Sequence, residues 1–260
     1  MSSQNSSKIN QLLKEWPKGT VATQAKLSKL GISRQLATKY VLHNWIIRIG
    51  RGAFVRSGDQ IDWRGGLYAL QTQLGLSVHV GARIALELQG LSHFVPLGQQ
   101  EKVNLISDRP ERLPAWFRCH PWKVKLEHHC LSLFNRIPEA ASTKLDCGGF
   151  EIVMSSPERA IMEQMRLVKV NDDVEQAYRL MEGLTTLRPS VVQDLLVNCR
   201  SVKVKRLFLW SAETIGHAWF GRLDLERVEL GNGRRQLYKG GRLNLKYQIT
   251  VPAQEELPGV

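Results

Sequence analysis

Apolar residues in the first sixty positions recur at helical spacing and then give way to strand-like runs. Ile9, Leu12, Leu13 and Trp16 share one face of a first helix that Ser6 or Ser7 can cap, and Pro17-Lys18-Gly19 breaks it. A second helix is predicted from Thr23, with Leu27 and Leu30 inward. Gly31 supplies the turn, because the residue just past a helix end often needs positive φ. Ile32 packs beneath that turn, and Ser33 is a suitable N-cap for a third helix. There, Leu36, Ala37, Tyr40 and Val41 face inward and Arg34, Gln35, Thr38 and Lys39 face outward. The β-rich runs 45–49 and 53–56 flank Gly50-Arg51-Gly52 and read as a hairpin. Helices and hairpin in this order predict a winged helix-turn-helix, with Arg51 at the tip of the wing.

Ser57-Gly58-Asp59-Gln60 is a short polar connector, which sets domains of 1–57 and 58–260. Beyond it, helices are predicted over 63–74, with Leu67, Leu70 and Leu74 on one face, and over 82–88, ending at Gly90. Strands follow at 102–107, 122–128 and 150–154. Ser156 caps a helix with Pro157 at its first position, carrying Ala160, Ile161, Met165 and Leu167. Helices over 174–184, 189–199 and 202–215 come next, and strands over 234–238 and 245–251 surround Gly240-Gly241. The fold class is α+β: an N-terminal winged helix-turn-helix followed by a larger mixed α+β domain. The sequence shows no internal repeat and no low-complexity stretch.

Charge sharpens this picture. Of a formal net charge of +12, residues 1–60 hold +8, residues 61–187 hold −1 and residues 188–246 hold +7, with Glu255 and Glu256 in the tail. On the predicted third helix, the outward side chains are donors and acceptors suited to base edges and phosphates, placed where a recognition helix reads DNA. The second basic region points to a further polyanion contact or an acidic protein partner. No run of eighteen apolar residues marks a membrane span. The N-terminal Met-Ser-Ser-Gln-Asn-Ser-Ser lacks a signal peptide's apolar stretch. Four scattered cysteines without a CxxC fit a reducing cytoplasm, so a cytoplasmic protein is expected.

Other chemistries fare less well. Cys119-His120 and His128-His129-Cys130 offer zinc-type ligands at the wrong spacing, and adjacent histidines on a strand point to opposite faces. No metal and no cofactor are therefore expected. Asp146 and Glu151 flank Gly148-Gly149, but Ile152-Val153 stand where a nuclease pattern wants a following lysine. Asp172-Asp173 reads as a helix N-terminus. The stretches 231–235 and 239–242 are Gly-rich and basic without phosphate-loop spacing, and Ser211, His217 and Asp224 form no nucleophile context.

Several ordered segments carry a family resemblance: the 46–56 wing, His79-Val80-Gly81-Ala82-Arg83-Ile84-Ala85-Leu86, Gly90-Leu91-Ser92-His93, Ser155-Ser156-Pro157-Glu158-Arg159-Ala160, and Gly233-Arg234-Arg235 with Gly240-Gly241 and Tyr247. In this order they resemble the AbiEi antitoxins, the transcriptional-regulator partners in type IV toxin–antitoxin systems. The resemblance implies a non-enzymatic protein of phage defence by abortive infection. Its winged helix would bind inverted repeats in double-stranded DNA of its own promoter and repress the operon. Its C-terminal domain would counter a nucleotidyltransferase-like toxin without a stable complex. Carried onto this chain, Ser33, Arg34, Gln35, Thr38 and Lys39 are groove contacts and Arg48 and Arg51 wing contacts. Lys203, Lys205, Arg206, Arg234, Arg235, Lys239 and Arg242 are nominated for antitoxicity. Two alternatives stay open: a ligand-responsive winged-helix transcription factor with 61–260 as sensor, and a metal-dependent nuclease using Asp146 and Glu151. Whether one subunit or two bind DNA is also open.

Overall fold

The structure, a computed structural model, describes residues 3–92 and 102–253, with side chains from Lys8 onward; His93, Glu255 and Glu256 lie outside the described residues. The first helix, α1 (Ser3–Glu15), turns Ile9 and Leu12 inward, and Trp16 just past its end is also buried. It begins at Ser3, so Ser6 and Ser7 lie within the helix instead of capping it, which serine tolerates at modest cost. Thr23 ends β1 (Ala22–Thr23), and its hydroxyl accepts the Lys26 amide to start α2 (Gln24–Lys29). Gly31 takes φ +70°, and the Ile32 amide reaches back to the Leu27 carbonyl. The Ser33 hydroxyl accepts the Leu36 amide and opens α3 (Arg34–Leu42). Strands β2 (Ile46–Gly50) and β3 (Ala53–Arg56) form an antiparallel hairpin, with β3 between β1 and β2. Leu12, Trp16, Leu27, Ile32, Tyr40 and Phe54 fill the core of this unit.

A larger unit follows. Helix α4 (Trp63–Thr72), capped by Asp62, leads to β4 (His79–Val80) and α5 (Ala82–Leu88). Strand β5 (Lys102–Ser107), helix α6 (Ala115–Cys119), and strands β6 (Lys125–Cys130), β7 (Ser142–Asp146) and β8 (Glu151–Ser155) come next. They make a five-stranded mixed sheet in the order β6-β5-β4-β8-β7, with β4 central. Helices α7 (Pro157–Leu167), α8 (Asn171–Glu182), α9 (Pro189–Asn198) and α10 (Val202–Ile215) pack beside it. Strands β9 (Arg235–Gln236), β10 (Arg242–Asn244) and β11 (Ile249–Val251) form a small sheet in the order β10-β11-β9. The fold is thus mixed α+β, with an N-terminal unit and a larger C-terminal one.

Some elements shift from their expected positions for local reasons. The strand expected at 122–128 runs instead over Lys125–Cys130, because Trp122 serves packing: its indole N–H donates to the Phe117 carbonyl and its ring meets Phe117 and His120. The strand expected at 245–251 is shortened to Ile249–Val251, since the Asn244 side chain accepts the Tyr247 amide in a turn that leaves Gln248 at φ +53°. Strands β1, β4, β7 and β10 and helix α6 were not foreseen.

Helix α4 ties the two units together through side-chain amides. Gln73 accepts from the Thr23 amide at 2.8 Å and donates to the Val21 carbonyl at 2.8 Å, pairing with the N-terminal chain as a strand would. Gln71 does the same to β8, accepting from Val153 N at 2.9 Å and donating to Val153 O at 3.0 Å. Gly65 lets the chains touch: a Cβ there would lie 1.9 Å from the Gly19 carbonyl oxygen, and the Gly65 carbonyl takes the Val21 amide.

Candidate functional site

On α3, the buried positions Ala37 and Tyr40 fix the helix against its core and leave Arg34, Gln35, Thr38 and Lys39 exposed together. Ser33 stands at the exposed start of the helix, its hydroxyl engaged in the cap. Thr38 folds its hydroxyl back to the Arg34 carbonyl at 3.0 Å. Arg48 on β2 is exposed as well; its guanidinium lies 5.5 Å from the Phe54 ring centroid and donates to the Thr38 hydroxyl at 3.4 Å. This contact joins the polar face of α3 to the hairpin. Arg51 sits exposed in the turn between β2 and β3. The structure therefore brings all seven expected residues to the surface of one small unit.

The C-terminal candidates divide. Arg234, Arg235, Lys239 and Arg242 are exposed around the small sheet. Lys205 and Arg206, at 6% and 2% exposure, are not. Arg206 donates to the carbonyls of Leu230, Gly231, Gly233 and Gln248, so it holds the loop that leads into β9. Lys203 is half-buried and donates to the Val168 carbonyl, and burial pushes its ammonium pKa down. Of the seven basic positions nominated for antitoxicity, Lys205 and Arg206 are thus buried and Lys203 half-buried, while the other four face outward.

The expected alternatives for chemistry find structural uses. His128 and His129 do project to opposite sides of β6, His128 toward the Ser107 hydroxyl and His129 toward Asn104 and Glu127. Asp146 accepts the Gly148 amide in the β7–β8 turn, and Glu151 holds Lys144 across the hairpin. Among the described residues, no three His, Cys, Asp or Glu side chains gather as a metal set.

The densest polar cluster was not foreseen. The buried carboxylate of Glu163 on α7 accepts from Arg159 Nε at 2.8 Å, the Ser155 hydroxyl at 2.8 Å and the Ala82 amide at 3.1 Å, and lies 3.0 Å from His79 Nε2. His79 Nδ1 lies 3.1 Å from the Ser77 carbonyl, so both ring nitrogens face oxygens that can only accept. Arg159 goes on to Asp108 at 2.6 Å. Burial alone would push the Glu163 carboxyl pKa up, but the charges of Arg159 and His79 and the donors around it outweigh that and hold it at about 2. The contact also holds Ala82 at φ +53°, a conformation alanine adopts at a cost of about 1 kcal/mol or more. One turn earlier, burial likewise opposes ionisation of Glu158, but three bonds from Arg188 and one from Ser156 keep its pKa below the usual carboxylate range. The signal for this cluster is an acid amid a helix of buried positions, Ile161-Met162-Glu163-Gln164-Met165. Its donors are committed to the carboxylates of Glu163 and Asp108, which makes it a clasp between β4, α5, β8 and α7.

The family of AbiEi antitoxin N-terminal domains, described as transcriptional regulators, matches residues 5–97. The family of transcriptional regulators described as AbiEi antitoxins of type IV toxin–antitoxin systems matches residues 100–252. The crystal structure of the RV2827C protein from Mycobacterium tuberculosis is similar in fold, with a TM-score of 0.57 and 13% identity over 96% of this chain and 92% of that one. No curated protein matches the chain significantly. No described helix is long and apolar enough to cross a membrane. The matched family is one of regulators and not of enzymes. Since its two parts together span nearly the whole sequence, the chain belongs to the AbiEi family of antitoxin transcriptional regulators of type IV toxin–antitoxin systems.

Proposed function

We propose that residues 1–57 are a winged helix-turn-helix that represses the protein's own operon, and that residues 58–260 counter a nucleotidyltransferase-like toxin without a stable complex. In this reading α3 lies in the major groove of an inverted repeat in the promoter. Arg34, Gln35, Thr38 and Lys39 meet base edges and phosphates, the Ser33 end of the helix faces the backbone, and Arg48 and Arg51 extend the contact along the wing. The observation that carries it is the Arg48–Thr38 contact, which makes the helix face and the hairpin one continuous basic surface. Antitoxicity is assigned to the exposed set Arg234, Arg235, Lys239 and Arg242. Such a protein works in the cytoplasm and needs no cofactor.

The test is operator affinity of the full-length Arg34→Ala/Lys39→Ala variant on the DNA upstream of the protein's own coding region. Affinity should fall at least tenfold, while rescue from the co-expressed toxin persists. For the unaltered protein, five to seven neutralised phosphates give log affinity against log salt a slope of about −5. Unchanged affinity in the variant, or a slope near zero, refutes the assignment of α3.

A further inference from the structure

The hydroxyl of Thr38 is already in use. It donates its single hydrogen to the Arg34 carbonyl one turn back at 3.0 Å, and its oxygen accepts from the Arg48 guanidinium at 3.4 Å. No hydrogen remains on it to donate to a base. What the exposed Thr38 has left to offer a groove as a distinct surface is its methyl group.

One turn further along, Leu42 is 77% exposed, the most of any large apolar side chain among the described residues. A single exposed leucine is ordinary on a protein surface. Its position gives this one meaning. At about 3.6 residues per turn, it stands on the face of α3 that carries Gln35, Thr38 and Lys39. Buried Ala37 and Tyr40 fix the inward face, so the helix does not turn Leu42 into the core. Thr38 and Leu42, four residues apart, are neighbours on the helix surface. Two apolar groups thus adjoin on a face whose other members, Arg34, Gln35 and Lys39, are polar.

We propose that Thr38 and Leu42 are specificity residues that read thymine, each by covering a C5 methyl group in the major groove. This rests on the reading of α3 as the groove helix. Among the four bases only thymine presents a methyl group there, and an apolar side-chain surface is what recognises it. Covering one methyl group raises affinity about fourfold. Held at its oxygen from two sides, the Thr38 side chain has its methyl group placed before DNA arrives, so little rotamer freedom is lost on binding.

The experiment uses the full-length protein and the DNA upstream of its coding region, with each thymine of the bound site replaced in turn by deoxyuridine. That change removes the C5 methyl and leaves base pairing and the O4 acceptor intact. At two or more thymines affinity should fall about fourfold. Thr38→Val keeps a methyl group and drops the hydroxyl, and should bind the unmodified site within about twofold of the unaltered protein. Thr38→Ser does the reverse; it should lose about fourfold and become indifferent to deoxyuridine at one of those thymines. Leu42→Ala should do the same at another. Both positions are exposed, so unfolding midpoints should stay unchanged. If no deoxyuridine weakens binding while Arg34→Ala/Lys39→Ala still does, the methyl reading is overturned and α3 remains the groove helix. If neither weakens it, the assignment of α3 falls and this proposal with it. Equal losses in Thr38→Val and Thr38→Ser also overturn it, since the hydroxyl would then be what the site requires.

Discussion

Glu163 sits where water does not reach, and its four neighbours are all donors or cations. Such a carboxylate stabilises the fold only while it is charged. Its folded pKa, about 2, lies below its ordinary value of 4.5. The folded state therefore binds this proton less readily than the unfolded chain. The stabilisation is fully present above about pH 4.5 and is lost as pH falls toward 2, and a shift of this size corresponds to about 3 kcal/mol. Glu163→Gln turns an amide toward groups that also donate, so it should cost about 3–5 kcal/mol near neutral pH. The difference in stability between the two proteins should then shrink as pH falls through that window. Urea denaturation at several pH values between 6 and 3 measures this, and a constant difference would show that the carboxylate's charge is not what holds the cluster.

At the scale of elements, α4 is an amphipathic helix to which Gln71 and the C-cap residue Gln73 give a second task. Gln73 pairs with the N-terminal chain and Gln71 with β8, so each substitution should loosen one attachment only. Gln73→Ala strands the Thr23 amide and the Val21 carbonyl and should cost about 1–3 kcal/mol. In hydrogen exchange the Thr23 amide should lose protection in Gln73→Ala and the Val153 amide in Gln71→Ala, without crossover; equal effects at both amides would mean that α4 does not separate them. None of this pairing was legible in the sequence, because a glutamine on a helix does not announce which strand it meets. What was legible is local. Helices α5 and α10 and strand β5 fall where periodicity placed them, since each presents its own buried face. The two-residue strands β1 and β4 exist only through distant partners. The same limit governs the candidate site. The outward face of α3 could be read from spacing alone, whereas the burial of Lys205 and Arg206 could not, because a count of charges is blind to the packing of α10 and to the loop that Arg206 grips.

Over the whole molecule, two divisions of the chain can be drawn, and the larger of its two apolar clusters respects neither. A cut after residue 57 separates Val21, Ala53 and Val55 from Trp63 and Leu67, which share one apolar cluster, and removes the Gly19 contact of Gly65. A cut between residues 97 and 100, where the two family segments meet, takes β4 out of the middle of the five-stranded sheet. It also removes His79 and the Ala82 amide from Glu163, leaving a buried carboxylate short of two partners. A division of labour between DNA reading and antitoxicity would then be one of surfaces on a single cooperative body. Urea unfolding of the full chain should accordingly give one transition, coincident by tryptophan fluorescence and far-ultraviolet dichroism. A fragment of residues 100–260 should lack a cooperative transition altogether. A fragment of residues 58–260 keeps β4 and should fold, with a lower midpoint than the full chain. Two separate transitions in the full chain, the earlier one reproduced by residues 1–57 alone, would instead make the N-terminal unit an independent module and leave the α4 attachments without energetic weight.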